Sequence, residues 1–187
     1  MIGFEVCDKG EAEYEGSRFF GEPLVPERWA MKEPWSEDCF FMCQINLADI
    51  KGRTEGLLPD KGYLYFFVNT DSDVPDVKVL YTAKEPDTIY EECNCGFEDD
   101  VDYDLFSDYV IRFGKEGCGS ILGRDGDDIV LLDYDPSRSE ADVFYDVGRI
   151  RVIISEDALK AKDFASARTV VCRCMETFGN QTFIIQS

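Results

Sequence analysis

Residues 145–159 read YDVGRIRVIISEDAL, and residues 60–74 read DKGYLYFFVNTDSDV. Each has an acidic residue, one further residue, a glycine and a run of β-formers that closes in a polar, acidic patch. The β-branched and aromatic side chains of both runs suit a pleated sheet surface. Laying Gly62 on Gly148 brings a second pair of strands into step, because FFMCQINL (40–47) then falls near DIVLLDYD (128–135). Each half therefore offers a strand, a polar connection of unequal length, a D-x-G turn and a second strand. That pattern reads as a supersecondary repeat, with chance likeness of two hairpins as the competing account.

CFFMCQINLADI (39–50) alternates Phe41, Cys43, Ile45 and Leu47 with the more polar Met42, Gln44 and Asn46, the period of a strand with one buried face. KGYLYFFV (61–68) follows the turn residues Pro59-Asp60-Lys61-Gly62, and DVKVLYT (76–82) completes an antiparallel meander. IVLLDYD (129–135) and GRIRVIIS (148–155) form the second set. SEDALKAKDF (155–164) predicts a short helix capped by Ser155 with acids in its first turn. ARTVVCRC (167–174) and QTFIIQS (181–187) close the chain as strands.

With 187 residues, 44% of them apolar and 13% aromatic, the chain is long enough for one domain with a substantial core. The domain, 1–187, divides into an irregular N-terminal arm (1–35), a first β-rich half (36–83), an acidic and glycine-rich connection (84–128) and a second β-rich half (129–187). The arm carries Pro23, Pro26 and Pro34, and its PLVPERW segment (23–29) can cover one side of a core. The expected fold class is α+β: strand-dominated, mostly antiparallel sheets from two similar β-rich halves, with a few short helices.

Nineteen basic and thirty-nine acidic side chains give a net charge of −20. Such a surface repels nucleic acid and anionic membranes and attracts cationic partners. No basic, apolar leader opens the sequence and no apolar run reaches spanning length, so a cytoplasmic location is expected, with the eight cysteines as reduced thiols. Histidine is absent, which rules out a Ser-His-Asp triad, a Cys-His dyad and histidine-ligated zinc. No catalytic residue, metal ligand set or cofactor is assigned.

Two C-x-C pairs, Cys93/Cys95 and Cys172/Cys174, read as free thiols before a four-thiolate site, since structural zinc usually takes C-x₂₋₄-C. The carboxylate turns RDGDD (124–128) and LDYDPSRSEAD (132–142) do not place a glycine and a distal glutamate as a twelve-residue calcium loop does, and read as solvated turns. Between Lys84 and Asp108, ten acids face one lysine and are interleaved with Tyr90, Phe97, Tyr103 and Phe106. Carboxylates that attract a basic surface at long range, beside aromatic anchors, make this stretch the expected partner-binding surface, through Glu91, Glu92, Asp99, Asp100, Asp102 and Asp104. The bland alternative is a solvated edge whose aromatics enter the core.

The ordered series SRFFGEPLVPERW (17–29), FFMCQINLADI (40–50), GLLPDKGYLYFFV (56–68) and YDVGRIRVIISEDALKAKDF (145–164) resembles the YwqG-like bacterial proteins, a domain of unknown function. The family's G-Y-P-x-x-Q segment is replaced here by CGSILGRDGDDIVLL (118–132), so any role of that glutamine does not transfer. The resemblance implies a strand-dominated α+β fold and, because such proteins often lie among toxin and immunity loci, a toxin-neutralising role with no established reaction. The expected function is a non-catalytic acidic domain that binds a basic protein, a toxin being the candidate. Two alternatives remain. One is a small-molecule or metal-binding module, even an enzyme, centred on the glycine-rich loop 117–126 with Cys118, Gly119, Gly123 and Asp125; the other is a homo-oligomeric scaffold joined through strand edges such as TFIIQS.

Overall fold

Gly62 and Gly148 hold φ angles of 106° and 89°, and each releases the chain into a strand. A Cβ on Gly62 would also lie 2.5 Å from the Thr82 carbonyl oxygen, so that turn admits only glycine. In the computed structural model, which describes residues 1–35, 39–69, 75–91, 107–114, 116–141 and 148–172, these strands are β5 (Tyr63–Asn69) and β12 (Arg149–Ser155). The N-terminal region contributes β1 (Ile2–Cys7), β2 (Arg18–Phe19), β3 (Leu24–Val25) and helix α1 (Glu27–Met31). Then come β4 (Cys39–Asn46), β6 (Asp76–Thr82), β7 (Thr88–Ile89), β8 (Tyr109–Phe113), β9 (Gly119–Ile121), β10 (Gly123–Asp125) and β11 (Asp128–Tyr134). Helix α2 (Glu156–Ala161) separates β12 from β13 (Arg168–Cys172).

The α+β expectation is corrected. The described residues hold two α-helices, of five and six residues, and one eleven-stranded antiparallel sheet in the order β13-β12-β11-β9-β1-β8-β2-β4-β5-β6, with β10 paired to β11. The fold is mostly β. Helices this short cannot cover a sheet, so the sheet covers itself by curling. Its two end strands meet: the Val77 N–H of β6 donates to Thr169 Oγ1 of β13 at 2.7 Å, and that hydroxyl donates to Asp76 Oδ1 at 3.3 Å. The result is a nearly closed barrel whose interior holds Phe4, Phe66, Leu132, Tyr134 and Val152. Separate sheets for the two halves do not form, because β1 and β8 pair and join them.

The strand order reads alike from both ends when β13, β12, β11, β9 and β1 are exchanged for β6, β5, β4, β2 and β8. Details of register follow. The β4–β5 ladder has a bulge between Phe41 and Cys43, and the β11–β12 ladder has one between Val130 and Leu132, at matching places when Gly62 is laid on Gly148. After each of β4 and β11 a 3₁₀ turn begins, capped by Asn46 on the Ala48 N–H and by Asp135 on the Ser137 N–H. Phe20, after β2, and Leu122, after β9, share a left-handed φ of 53° and 54°.

Two further differences from the sequence reading have local causes. Residues 1–35 carry three strands and a helix rather than an irregular arm, and Ile2, Phe4 and Val6 place β1 inside the sheet. In β4 the bulge reverses the alternation, so Phe40 and Met42 face the interior together with Cys43 and Ile45, while Phe41 joins a second aromatic cluster outside. The acidic residues 92–106 and the strand expected at 181–187 lie outside the described residues.

Candidate functional site

The outer face of β4 and β5 presents Phe41, Tyr63, Tyr65 and Phe67, and the chain from β3 through Trp35 lies over it. Trp35 stacks on Phe67 with ring centroids 4.3 Å apart, and Trp29 meets Tyr65 edge-on at 5.4 Å. Tyr90, just after β7, meets Trp35 edge-on at 5.3 Å, and its hydroxyl donates to Glu33. The Tyr65 hydroxyl donates to the Leu24 carbonyl at 2.7 Å. Paired to β3, β7 completes the layer. Asp87 accepts the Glu27 N–H at 2.9 Å and so satisfies the open start of α1.

Outside this aromatic support the surface is acidic. Glu27, Glu33, Glu85, Asp87 and Glu91 are exposed on or beside α1 and β7, among Arg28, Lys32 and Lys84. Set in the same layer are two apolar side chains left in water, Met31 at 77% exposure and Ile89 at 41%. Buried beneath it, Tyr63 has its pKa pushed up to about 12, first by burial and then by the Glu85 carboxylate that accepts its hydroxyl at 3.4 Å.

Of the residues expected to bind a partner, Glu91 lies exposed at the end of this layer. Glu92, Asp99, Asp100, Asp102 and Asp104 lie outside the described residues. The expectation that PLVPERW covers one side of a core holds, since Val25 and Trp29 lie on the outer face of β4 and β5, but nothing in the chain names which face, and Trp35, Met31 and Ile89 were not found as surface-building residues.

The glycine-rich loop is taken up in packing. A Cβ on Gly117 would lie 2.2 Å from the Phe4 carbonyl oxygen, and one on Gly119 would lie 2.3 Å from Phe4 Cζ and 2.7 Å from the Asp133 oxygen. Cys118 is buried between them, and burial raises its pKa, which favours the thiol over the thiolate. Gly123 pairs with Val130, and Asp125 bonds Arg151 Nη1 at 2.9 Å.

The carboxylate turns meet arginines rather than one another. Asp133, nearly buried, takes Arg149 in a two-pronged pair at 2.6 and 2.7 Å, and Asp128 takes Arg168 at 2.7 Å. In the matching of the halves Asp133, Arg149 and Arg151 occupy the places of Gln44, Tyr63 and Tyr65, so one outer face is aromatic and the other ionic. Among the described residues no three His, Cys, Asp or Glu side chains are gathered to hold a metal ion. Cys172 is half-buried on β13, while Cys93, Cys95 and Cys174 lie outside the described residues.

One buried group stands apart. Arg18 on β2 is 3% exposed; its Nη2 lies 3.7 Å from Asp108 and its guanidinium lies over the Tyr14 ring at 4.8 Å, yet Nε and Nη1 have no acceptor among the described residues. Asp108 meanwhile accepts the Ala12 N–H at 2.7 Å.

Residues 17–115, just over half of the chain and the run from the start of β2 to the end of β8, match the model of a family described as a domain of unknown function (DUF1963), and the chain belongs to that family. The match thus covers one of the two halves defined by strand order. No curated protein matches the chain. No helix among the described residues is long and apolar enough to cross a membrane.

Proposed function

We propose that this chain is a bacterial YwqG-like binding module that acts without catalysis by docking an acidic face onto a basic protein, with neutralisation of a toxin as its role. The observation that carries the reading is Met31 and Ile89, exposed on a layer held by Trp29 and Trp35 and set among Glu27, Glu33, Glu85, Asp87 and Glu91. Charge at −20 steers a cationic partner over long distances, and desolvated apolar anchors then hold it.

Co-expression with the product of the neighbouring gene, scored by growth rescue and co-purification, tests the role. On the purified pair, neutralising Glu91, Glu92, Asp99, Asp100, Asp102 and Asp104 to amides slows association roughly 10-fold or more at low salt and flattens its salt dependence. Replacing Met31 and Ile89 by serine speeds dissociation instead. A pair that forms at the same rate with all six acids neutralised removes this surface from consideration.

A further inference from the structure

At the barrel end where β6 meets β13, a cleft of about 250 Å³ opens between the connection that enters β5 and the α2 region. Its floor is apolar: Leu58, Leu159 and Phe164 belong to the interior core, and Leu57 packs against it. Phe164 also lies 5.5 Å from Tyr81 of β6, so the floor is continuous with the seam. Among the described residues the charged side chains lining it are Lys160 and Lys162, and no carboxylate is with them.

In a chain with twice as many acids as bases, that lining is a local inversion of sign. The surrounding charges leave it in place. Glu156 is shared between Lys160 at 2.7 Å and Arg124 at 2.9 Å, so two cations contact one carboxylate, while Asp157 acts on Lys160 without an ion-pair contact. Lys162, held at φ 59° where α2 ends, points its ammonium over the Tyr81 ring at 5.5 Å rather than at an acid. Asp163 accepts the Ser166 hydroxyl, Asp60 accepts the Gly52 N–H, and Asp157 and Glu55 stand exposed outside the lining.

We infer that this cleft binds a small amphipathic carboxylate, its hydrocarbon part on Leu57, Leu58, Leu159 and Phe164 and its carboxylate between Lys160 and Lys162. The volume suits such a ligand, since it exceeds the roughly 150 Å³ of an apolar cavity that takes up benzene. The inference goes beyond the docking reading and is independent of it, because the cleft and the acidic layer are built from different elements.

Hexanoate is the probe, titrated into the full chain and followed by amide shifts in two-dimensional NMR, with hexanol and hexylamine as neutral and cationic controls. Saturable shifts at residues 56–59 and 159–164 with hexanoate, weaker by several-fold with hexanol and lacking with hexylamine, are expected. Lys160→Gln and Lys162→Gln each weaken hexanoate about 3-fold while leaving hexanol unchanged. Equal binding of hexanol and hexanoate, shifts centred on other residues, or no saturable shift overturns the inference. Leu57→Trp, which fills the cleft from its partly buried rim, abolishes the hexanoate shifts in a chain whose remaining spectrum is retained; retained binding in that variant also overturns it.

Discussion

Glu5 on β1 lies directly opposite Arg112 on β8, and the dyad of the strand-pairing pattern passes between them. On either side of that pair, Phe4 faces Phe113 and Val6 faces Ile111, each pair exchanging places with the other under the symmetry. β1 thus fills in the second half the place that β8 fills in the first, although it arrives from the opposite end of the chain.

A circular permutant tests this relationship. Starting the chain at residue 17 and joining residues 1–16 behind Ser187 through a flexible linker of about ten residues restores the connection that residues 83–108 provide in the first half. The permutant is expected to fold with the native circular dichroism spectrum and to lose no more than about 2 kcal/mol in denaturant titration. An unfolded permutant contradicts the equivalence of β1 and β8.

Gly117 and Gly119 separate packing from conformation. Alanine at either forces its methyl group against the backbone or ring of Phe4, and overpacking of this kind costs roughly 3 kcal/mol or more. Gly126 has open space around it and φ 61°, so its alanine variant costs only about 1 kcal/mol through the left-handed backbone. Equal losses at Gly119 and Gly126 in urea melts run against a loop held by packing.

Arg18 makes opposite variants behave unequally. Arg18→Met removes a buried charge with two unmet donors and leaves stability unchanged or about 1 kcal/mol higher. Asp108→Ala strips the buried guanidinium of its ion pair and costs roughly 3 kcal/mol. A clear loss of stability in Arg18→Met shows that the two nitrogens are satisfied after all.

Alkaline titration reports the aromatic layer. Tyr63 in the folded chain loses its proton near 12 rather than 10, so the unfolded chain ionises first and stability falls between those values. Below pH 10 the contribution is fully present, and it is lost as pH rises through about 12. Burial shifts Tyr65 in the same direction. Tyr63→Phe is expected to flatten the fall in melting temperature across this window, and an unchanged slope assigns the alkaline loss to other groups.

Much of the fold was legible because period-two patterning is local. β5, β6, β11 and β12 follow their sequence ranges closely, and Ser155 caps α2 on the Ala158 N–H as its sequence suggests. β1 was missed because three alternating apolar residues beside Glu5 and Asp8 resemble an exposed start. Closure was illegible for a different reason, since Thr169 meets Val77 across ninety-two positions and no local pattern encodes that distance. The site divides likewise. Charge named Glu91, whereas the roof of Trp29 and Trp35 over Tyr65 and Phe67 is a long-range fit between segments that each read as ordinary core.

The hydroxyl of Thr169 has a consequence for life at high concentration. An open sheet of this length would leave two bare rims, each a template on which another copy could grow. Here the Thr169 side chain takes up the Val77 N–H and brings the two rims together, so it stands where an added strand would have to pair. Loosening the fastening by Thr169→Val would expose both rims at once, and the penalty would be read as turbidity on storage sooner than as a lower melting point.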